Sequence, residues 1–334
     1  MTAKILYSVP VAVQSLLTGK FPGYRLVKTL EEHDCFEVVL VPATLTGAKT
    51  MMEKFHLLFN YFIKTILITL DFRDDMYFYN FQKSYVPIYV LYVLFHFKRP
   101  NLFLADGVNC FGLRQVGHKK FFKYFNKIVS LPYFSNNLRG EDDRIFWFPG
   151  PLELNQSRTS KKKQNPNFVY NSSLLPYNEP ERAIDLAIQN DELDICFTGT
   201  RRAMENYLNT NNLAKYLEKL NGLNFTGDLP QKEYANLLKS ANGVLLFRNE
   251  EYFENQYNFP SKLLECLQLG VPLISFYNIN GVPESLYRRV TSCMDTEEFM
   301  RAANSPASYD LEAIEFINRC NPRALRDFIQ ASLN

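Results

Sequence analysis

The stretch that decides the fold runs from Asn258 to Ser275, NFPSKLLECLQLGVPLIS. Leu263, Leu264, Leu267 and Leu269 recur with the spacing of one helix face, and Gly270, followed by Val271-Pro272, ends the run. Ser261 stands where a capping hydroxyl would start the helix, and Gly270 suits the left-handed residue that stops it. Leu273-Ile274-Ser275 then reads as a buried strand. A helix N-terminus carries free backbone N–H groups and a partial positive charge, so Lys262 in the first turn adds a cation to an anion-binding end. Glu265, one turn further on, is placed to accept hydrogen bonds from sugar hydroxyls. An ordinary amphipathic helix before a buried strand has the same pattern, and periodicity alone does not separate the two.

The residues PSKLLE…LGVPLIS resemble the donor-site signature of family-4-like retaining glycosyltransferases of the GT-B fold. In the subgroup resembled, P-S-K, two hydrophobic residues and E precede a small-residue G-x-P-[VL]-I-[SA]. The resemblance implies that Lys262 neutralises a nucleotide diphosphate, that Glu265 holds the ribose hydroxyls, and that Ser261 lies beside them. It also implies an α/β architecture of two Rossmann-like domains facing across a cleft. Residues 1–154 would form the acceptor-side domain, 155–167 a linker and 168–310 the nucleotide-sugar domain. The helices of 311–334 would cross back to the first domain.

Moving outward, Asn242 to Phe247 (NGVLLF) reads as the strand before the motif, with Arg248 at its end as a phosphate or sugar ligand. Asn224 to Leu229, then Glu233 to Ser240, resemble the family segment whose backbone touches the base, which maps to Leu229. Leu193 to Phe197 ends in Thr198-Gly199-Thr200-Arg201-Arg202, a glycine turn suited to a nucleotide. The resemblance also implies an Arg and a Lys on the diphosphate further upstream. This chain has Asn171-Ser172-Ser173 and Asn178-Glu179-Pro180 there, so Arg201 or Arg202 is the expected substitute. Tyr257 stands where many members carry a sugar-facing glutamate.

In the first half, Lys4–Val9, a helical run through Leu30, and Phe36–Val41 spell a βαβ unit with a parallel sheet. Gly19 and Gly23 are the candidates for the glycine loop that the family places near donor phosphates and acceptor. Met51 to Leu70 has helical apolar spacing and is expected to pack in the core. Its aromatics with Lys54 and Lys64 also suit a lipid interface. Tyr85 to Phe97 is too short to span a bilayer and is expected to be a buried helix. Ligands collect at the carboxyl ends of parallel strands, which puts Asn80 and Asp106 where function is expected, with Asp106 as a catalytic candidate. The histidine that the family offers at such a strand end has no clear counterpart, His118 lying further along.

With 334 residues, 46% of them hydrophobic, the chain can fill two domain cores. A net charge of +2 gives no ground for a nucleic-acid partner. Six scattered cysteines without C-x-x-C spacing are expected to be reduced thiols in a cytoplasmic protein, and the four histidines make no ligand set with them. The N-terminus lacks the form of a signal peptide. No cofactor or metal is expected. The implied reaction transfers a hexose from a UDP- or GDP-sugar to a hydroxyl of a glycan or lipid-linked glycan, with retention, at or near the inner face of a membrane. A sugar-nucleotide 2-epimerase of the same fold, or an inactive glycosyltransferase-like partner protein, remain as alternatives.

Overall fold

The computed structural model describes all residues except 1–2, 11–21, 45–49, 72–75, 82–84, 106–121, 132–141, 153–166, 191, 253–254, 257–258, 292–295, 306–307 and 332–334. The chain divides into two compact units: Met1–Pro151 with Asn318–Asn334, and Leu152–Ile317.

The first unit contains β1 (Ala3–Pro10), α1 (Pro22–Glu32), β2 (Phe36–Thr44), α2 (Met51–Asp71), β3 (Met76–Tyr79), α3 (Val86–His96), β4 (Asn101–Leu104), β5 (Ile128–Ser130) and β6 (Ile145–Trp147). Its six-stranded sheet has the order β2-β1-β3-β4-β5-β6, with every pairing parallel. A parallel sheet covered on both faces asks for uninterrupted apolar strands, and both MYFY and NLFL are buried at all four positions. On one face Ile5, Leu30, Phe36 and Phe103 pack with Leu325 and Ile329 from the C-terminal helix Pro322–Gln330. That helix starts on Asn321, whose side chain accepts the Arg323 N–H, and its Phe328 ring stacks on Phe146 at 4.8 Å.

Three sequence expectations fail here: the glycine-loop place of Gly23, the core place of α2 and the burial of α3. Gly23 lies inside α1 rather than in a loop, whereas Gly19 lies outside the described residues. Helix α2, expected in the core, is largely on the surface: Phe55 is 71% exposed, Phe62 56% and Leu67 58%. The reason is in the pattern. Met51, Phe55, Leu58 and Phe62 mark one stripe, while Met52, Phe59, Ile63 and Leu70 mark another. A helix buries only one stripe against a sheet, so a helix apolar on several sides must leave some uncovered. Helix α3 behaves similarly, with Ile88 and Tyr92 buried and Val90 and Leu94 exposed. Among the described residues, no helix is long and apolar enough to cross a membrane.

The second unit runs β7 (Asn167–Tyr170), α4 (Pro180–Gln189), β8 (Asp194–Phe197), α5 (Arg201–Thr210), β9 (Asn224–Phe225), α6 (Gln231–Ser240), β10 (Gly243–Leu246), α7 (Ser261–Leu269), β11 (Leu273–Ser275), β12 (Arg288–Arg289), α8 (Thr296–Asn304) and α9 (Leu311–Arg319). The sheet order is β12-β11-β10-β7-β8-β9, again all parallel. Phe168, Ile184, Phe197, Leu245 and Ile274 form its core. Gly243, paired with Phe168, leaves room for a side chain of β11: a Cβ there would sit 2.7 Å from Ile274 Cδ1. From β7 the chain steps outward through β8 to β9, and from β10 outward the other way. Such a reversal opens a crevice at the strands' carboxyl ends, where open α/β sheets bind ligands. Cys35, Cys196, Cys266 and Cys320 are buried free thiols.

Candidate functional site

Loops at the carboxyl ends of β7, β8 and β9 enclose a cavity of about 250 Å³. Its rim consists of two glycine turns, Thr198-Gly199 and Thr226-Gly227, with Asp228 and Leu229 following the second. The turns are tied by the Gly227 N–H donating to Gly199 O at 3.0 Å. Gly199 (φ 96°) and Gly227 (φ 69°) adopt left-handed backbone that a side chain would strain, and nothing lies within 4 Å of where a Cβ would point. Backbone is thereby left open to a ligand's approach. Thr200 caps α5 by accepting the Ala203 N–H, so a second helix starts at this turn.

Asn171 and Tyr234 line the same cavity, and through Tyr234 it meets the motif helix α7. Lys262 Nζ donates to Glu265 Oε2 at 3.0 Å and to the Tyr234 hydroxyl at 3.1 Å. The Tyr234 hydroxyl donates to Glu265 Oε2 at 2.9 Å and accepts from Asn171 Nδ2. Asn171 Oδ1 accepts from Thr198 Oγ1 at 3.1 Å. One phenol therefore uses its donor and both lone pairs to join β7, α6 and α7. Burial, then the Glu265 carboxylate, pushes its pKa well above the usual range, so Tyr234 stays protonated. Lys262 and Glu265 are each 31% exposed. An ion pair so exposed contributes little to stability, so exchanging Glu265 for an anionic ligand at Lys262 costs little.

The helix begins differently from the sequence expectation. Pro260 (φ −77°, ψ 99°) is the N-cap, and no side chain caps the helix; Ser261 is its first residue and exposed. The proline's ring fixes the turn into the helix, so the hydroxyl is not needed there. Gly270 does end it left-handed at φ 66°.

Arg201 bonds Glu205 at 2.9 Å and Asn221 at 2.7 Å on the exposed side of α5, and Arg202 is exposed beside it. Arg248, 8% exposed at the end of β10, has its pKa lowered to about 10 by burial, with Tyr177 opposing. Asn80 ends β3 at φ 45°, and its Oδ1 accepts the Ala105 N–H at 2.7 Å, tying β3 to β4. Asp106 and His118 lie outside the described residues. Among the described residues no group of three or more His, Cys, Asp or Glu could hold a metal ion.

Tyr234 and Glu179 make contacts that spacing does not reveal. Glu179, buried at the N-cap of α4, accepts from Asn249 Nδ2 at 3.2 Å and from the Tyr277 hydroxyl at 2.8 Å, and pairs with Arg182. It thus fastens together the segments after β7, β10 and β11. Tyr234 could have been noticed as a polar-tipped aromatic on the helix after the Gly227 turn, but its partners are 28 to 63 residues away. If the nucleotide implied by the sequence resemblance binds here, Tyr234→Phe is expected to weaken its binding by about tenfold, since hydrogen bonds to charged groups contribute ~1.5–3 kcal/mol each. Titration calorimetry against the wild type measures this, and equal affinity would reduce the phenol to packing.

The sequence matches no protein-family model and no curated protein. Solved structures match nearly the whole chain. The lipopolysaccharide outer core galactosyltransferase WaaB, in its apo form, is similar over 100% of this chain and 99% of its own, with a TM-score of 0.59 at 12% identity. Anabaena HepE in complex with UDP and glucose is similar over 99% of both chains, with a TM-score of 0.58 at 14% identity. A UDP-forming α,α-trehalose-phosphate synthase from Burkholderia xenovorans has a TM-score of 0.53 at 11% identity, over 100% and 99%. Two all-parallel six-stranded α/β units in one chain, aligned end to end with these enzymes, give this protein the GT-B fold.

Proposed function

We propose that the protein is a glycosyltransferase whose second unit holds a UDP- or GDP-sugar and which passes the hexose, with retention, to a hydroxyl of a glycan. The observation carrying this reading is the Lys262–Glu265–Tyr234–Asn171 network beside the cavity at the Gly199 and Gly227 turns. HepE was solved with UDP and glucose in a chain of the same fold, which supports a UDP-sugar as the first donor to test. In the reaction the bond between the anomeric carbon and the diphosphate oxygen breaks. The acceptor oxygen takes that carbon, and its proton passes to the departing diphosphate oxygen or to water. The charge growing on the diphosphate is met by Lys262 and the N-terminus of α7, released from a weak ion pair rather than from a buried one. Glu265, freed from Lys262, turns to the ribose hydroxyls, and Leu229 offers its backbone to the base. The acceptor is a glycan, free or lipid-linked, held by the first unit, with Asp106 as its catalytic candidate. No metal takes part.

Thermal denaturation in the presence of UDP, GDP and their sugars tests the donor. Ligand at about 100 times its dissociation constant adds ~2.7 kcal/mol, enough for a clear rise in melting temperature. Stabilisation by one nucleotide series that disappears in Lys262→Ala supports the site. No stabilisation by any nucleotide would favour the inactive partner protein, while epimerised donor formed without acceptor would favour the 2-epimerase.

A further inference from the structure

Helix α2 starts on a reciprocal capping box. The Glu53 N–H donates to Thr50 Oγ1 at 3.2 Å, and Glu53 Oε2 accepts the Thr50 N–H at 3.1 Å. The last turns of the same helix are anchored in the fold: Thr69 is fully buried, and its carbonyl oxygen lies 2.7 Å from His96 Nε2 of α3. The first half is different. From Met51 to Ile63 every described side chain is exposed except the half-buried Tyr61.

The exposed side chains are sorted by character. Met51, Met52, Phe55, Leu58, Phe59 and Phe62 fall within one arc of about 120° on the helix, with Glu53 and Asn60 on the far side. Met51 is 89% exposed, Met52 82%, and the other four half or more. A helical segment this short is marginal in water without tertiary support. A firmly capped helix that turns its whole apolar arc to solvent therefore calls for a cover. A fully covered aromatic side chain buries roughly 150–250 Å², so these six side chains together offer on the order of 700 Å². A standard interface takes about 800 Å² per partner, a little over half of it apolar. The arc is large enough for a stable dimer, and larger than monomeric proteins usually leave open.

Its pattern fits a second copy of this chain. Met51, Phe55, Leu58 and Phe62 are spaced four, three and four apart, the alternation with which two helices interlock. Across α2, Glu53 and Asp71 balance Lys54 and Lys64, so the helix has no net charge to repel an identical one. The same balance leaves α2 without the excess of cations that draws an interfacial helix to anionic lipid.

We propose that the protein forms a homodimer in which the first half of α2 packs antiparallel against the same segment of a second copy. A twofold contact uses one patch on both subunits, so each arc covers the other. The contact needs no sugar donor, and its success or failure is independent of the transferase reading.

The test is the mass of the full chain by light scattering after size exclusion, from low to high micromolar concentration. The expected result is a dimer whose dissociation constant rises about a hundredfold in Phe55→Ser/Phe59→Ser, as the loss of two central aromatic anchors implies. Both rings are exposed, so far-UV circular dichroism of that variant should match the wild type. Phe97→Ser removes a ring that is 91% exposed just after His96, beside the opposite end of α2, and should leave the dimer intact. A monomer at every concentration, a dimer that Phe55→Ser/Phe59→Ser leaves unchanged, or one that Phe97→Ser weakens equally would overturn the proposal. A monomer that sediments with phosphatidylglycerol vesicles only while Phe55 and Phe59 are present would also overturn it, assigning the arc to a lipid surface.

Discussion

Replacing Lys262 with alanine is expected to lower sugar transfer roughly 100- to 1,000-fold, the usual consequence of deleting one preorganised group aimed at developing negative charge. The fold should survive, because the Lys262–Glu265 pair is partly exposed at 31% for each partner, and such pairs contribute about 1 kcal/mol or less. Far-UV circular dichroism and the melting temperature establish the second point, and donor hydrolysis or transfer measured on purified protein establishes the first. Lys262→Arg keeps the charge but changes its reach and geometry, so it should retain part of the activity. Near-normal transfer by Lys262→Ala would remove the α7 N-terminus from the reaction.

Phe168→Ala is expected to have the largest effect on stability. Phe168 is fully buried at the centre of the second sheet, on β7 between β10 and β8, and meets Phe299 edge-on with ring centres 6.0 Å apart. It also faces Gly243, which has no side chain to collapse into the void. Phe→Ala at such a site costs ~3–5 kcal/mol. For a domain of this size that corresponds to a melting temperature lower by roughly 10 °C. A calorimetric scan that shows a fall of less than about 2 °C would mean that the sheet core tolerates the loss and that its centre lies elsewhere.

Much of the fold was legible along the chain because its strands are short, apolar and separated by glycine turns. MYFY, NLFL and GVLL are buried throughout, as parallel strands covered on both sides must be. The helix start at Ser261 was misassigned by one residue because a serine and a proline both fit that boundary, and backbone angles decide between them. Helix α2 was misplaced for a different reason. Periodicity says how many sides of a helix are apolar, but which sides another element covers depends on neighbours distant in sequence. Tyr234 escaped notice on the same ground: nothing local marks a tyrosine as the bridge between Asn171, Lys262 and Glu265.

The sequence by itself determined the alternation of strands and helices, the left-handed stop at Gly270, and the placing of Lys262 and Glu265 on one side of α7. These depend on local backbone preference and on i to i+3 spacing within a single helix. Only the tertiary structure decided that Arg201 is engaged on the surface of α5 and that Glu179 fastens three loops. It alone showed that Tyr234 joins Asn171, Lys262 and Glu265, and that Leu67, Leu70, Leu94 and Phe95 are more than half exposed at the ends of α2 and α3. Hydrogen bonds and burial act through space, and the parallel crossovers of this sheet architecture bring together residues that the chain keeps far apart.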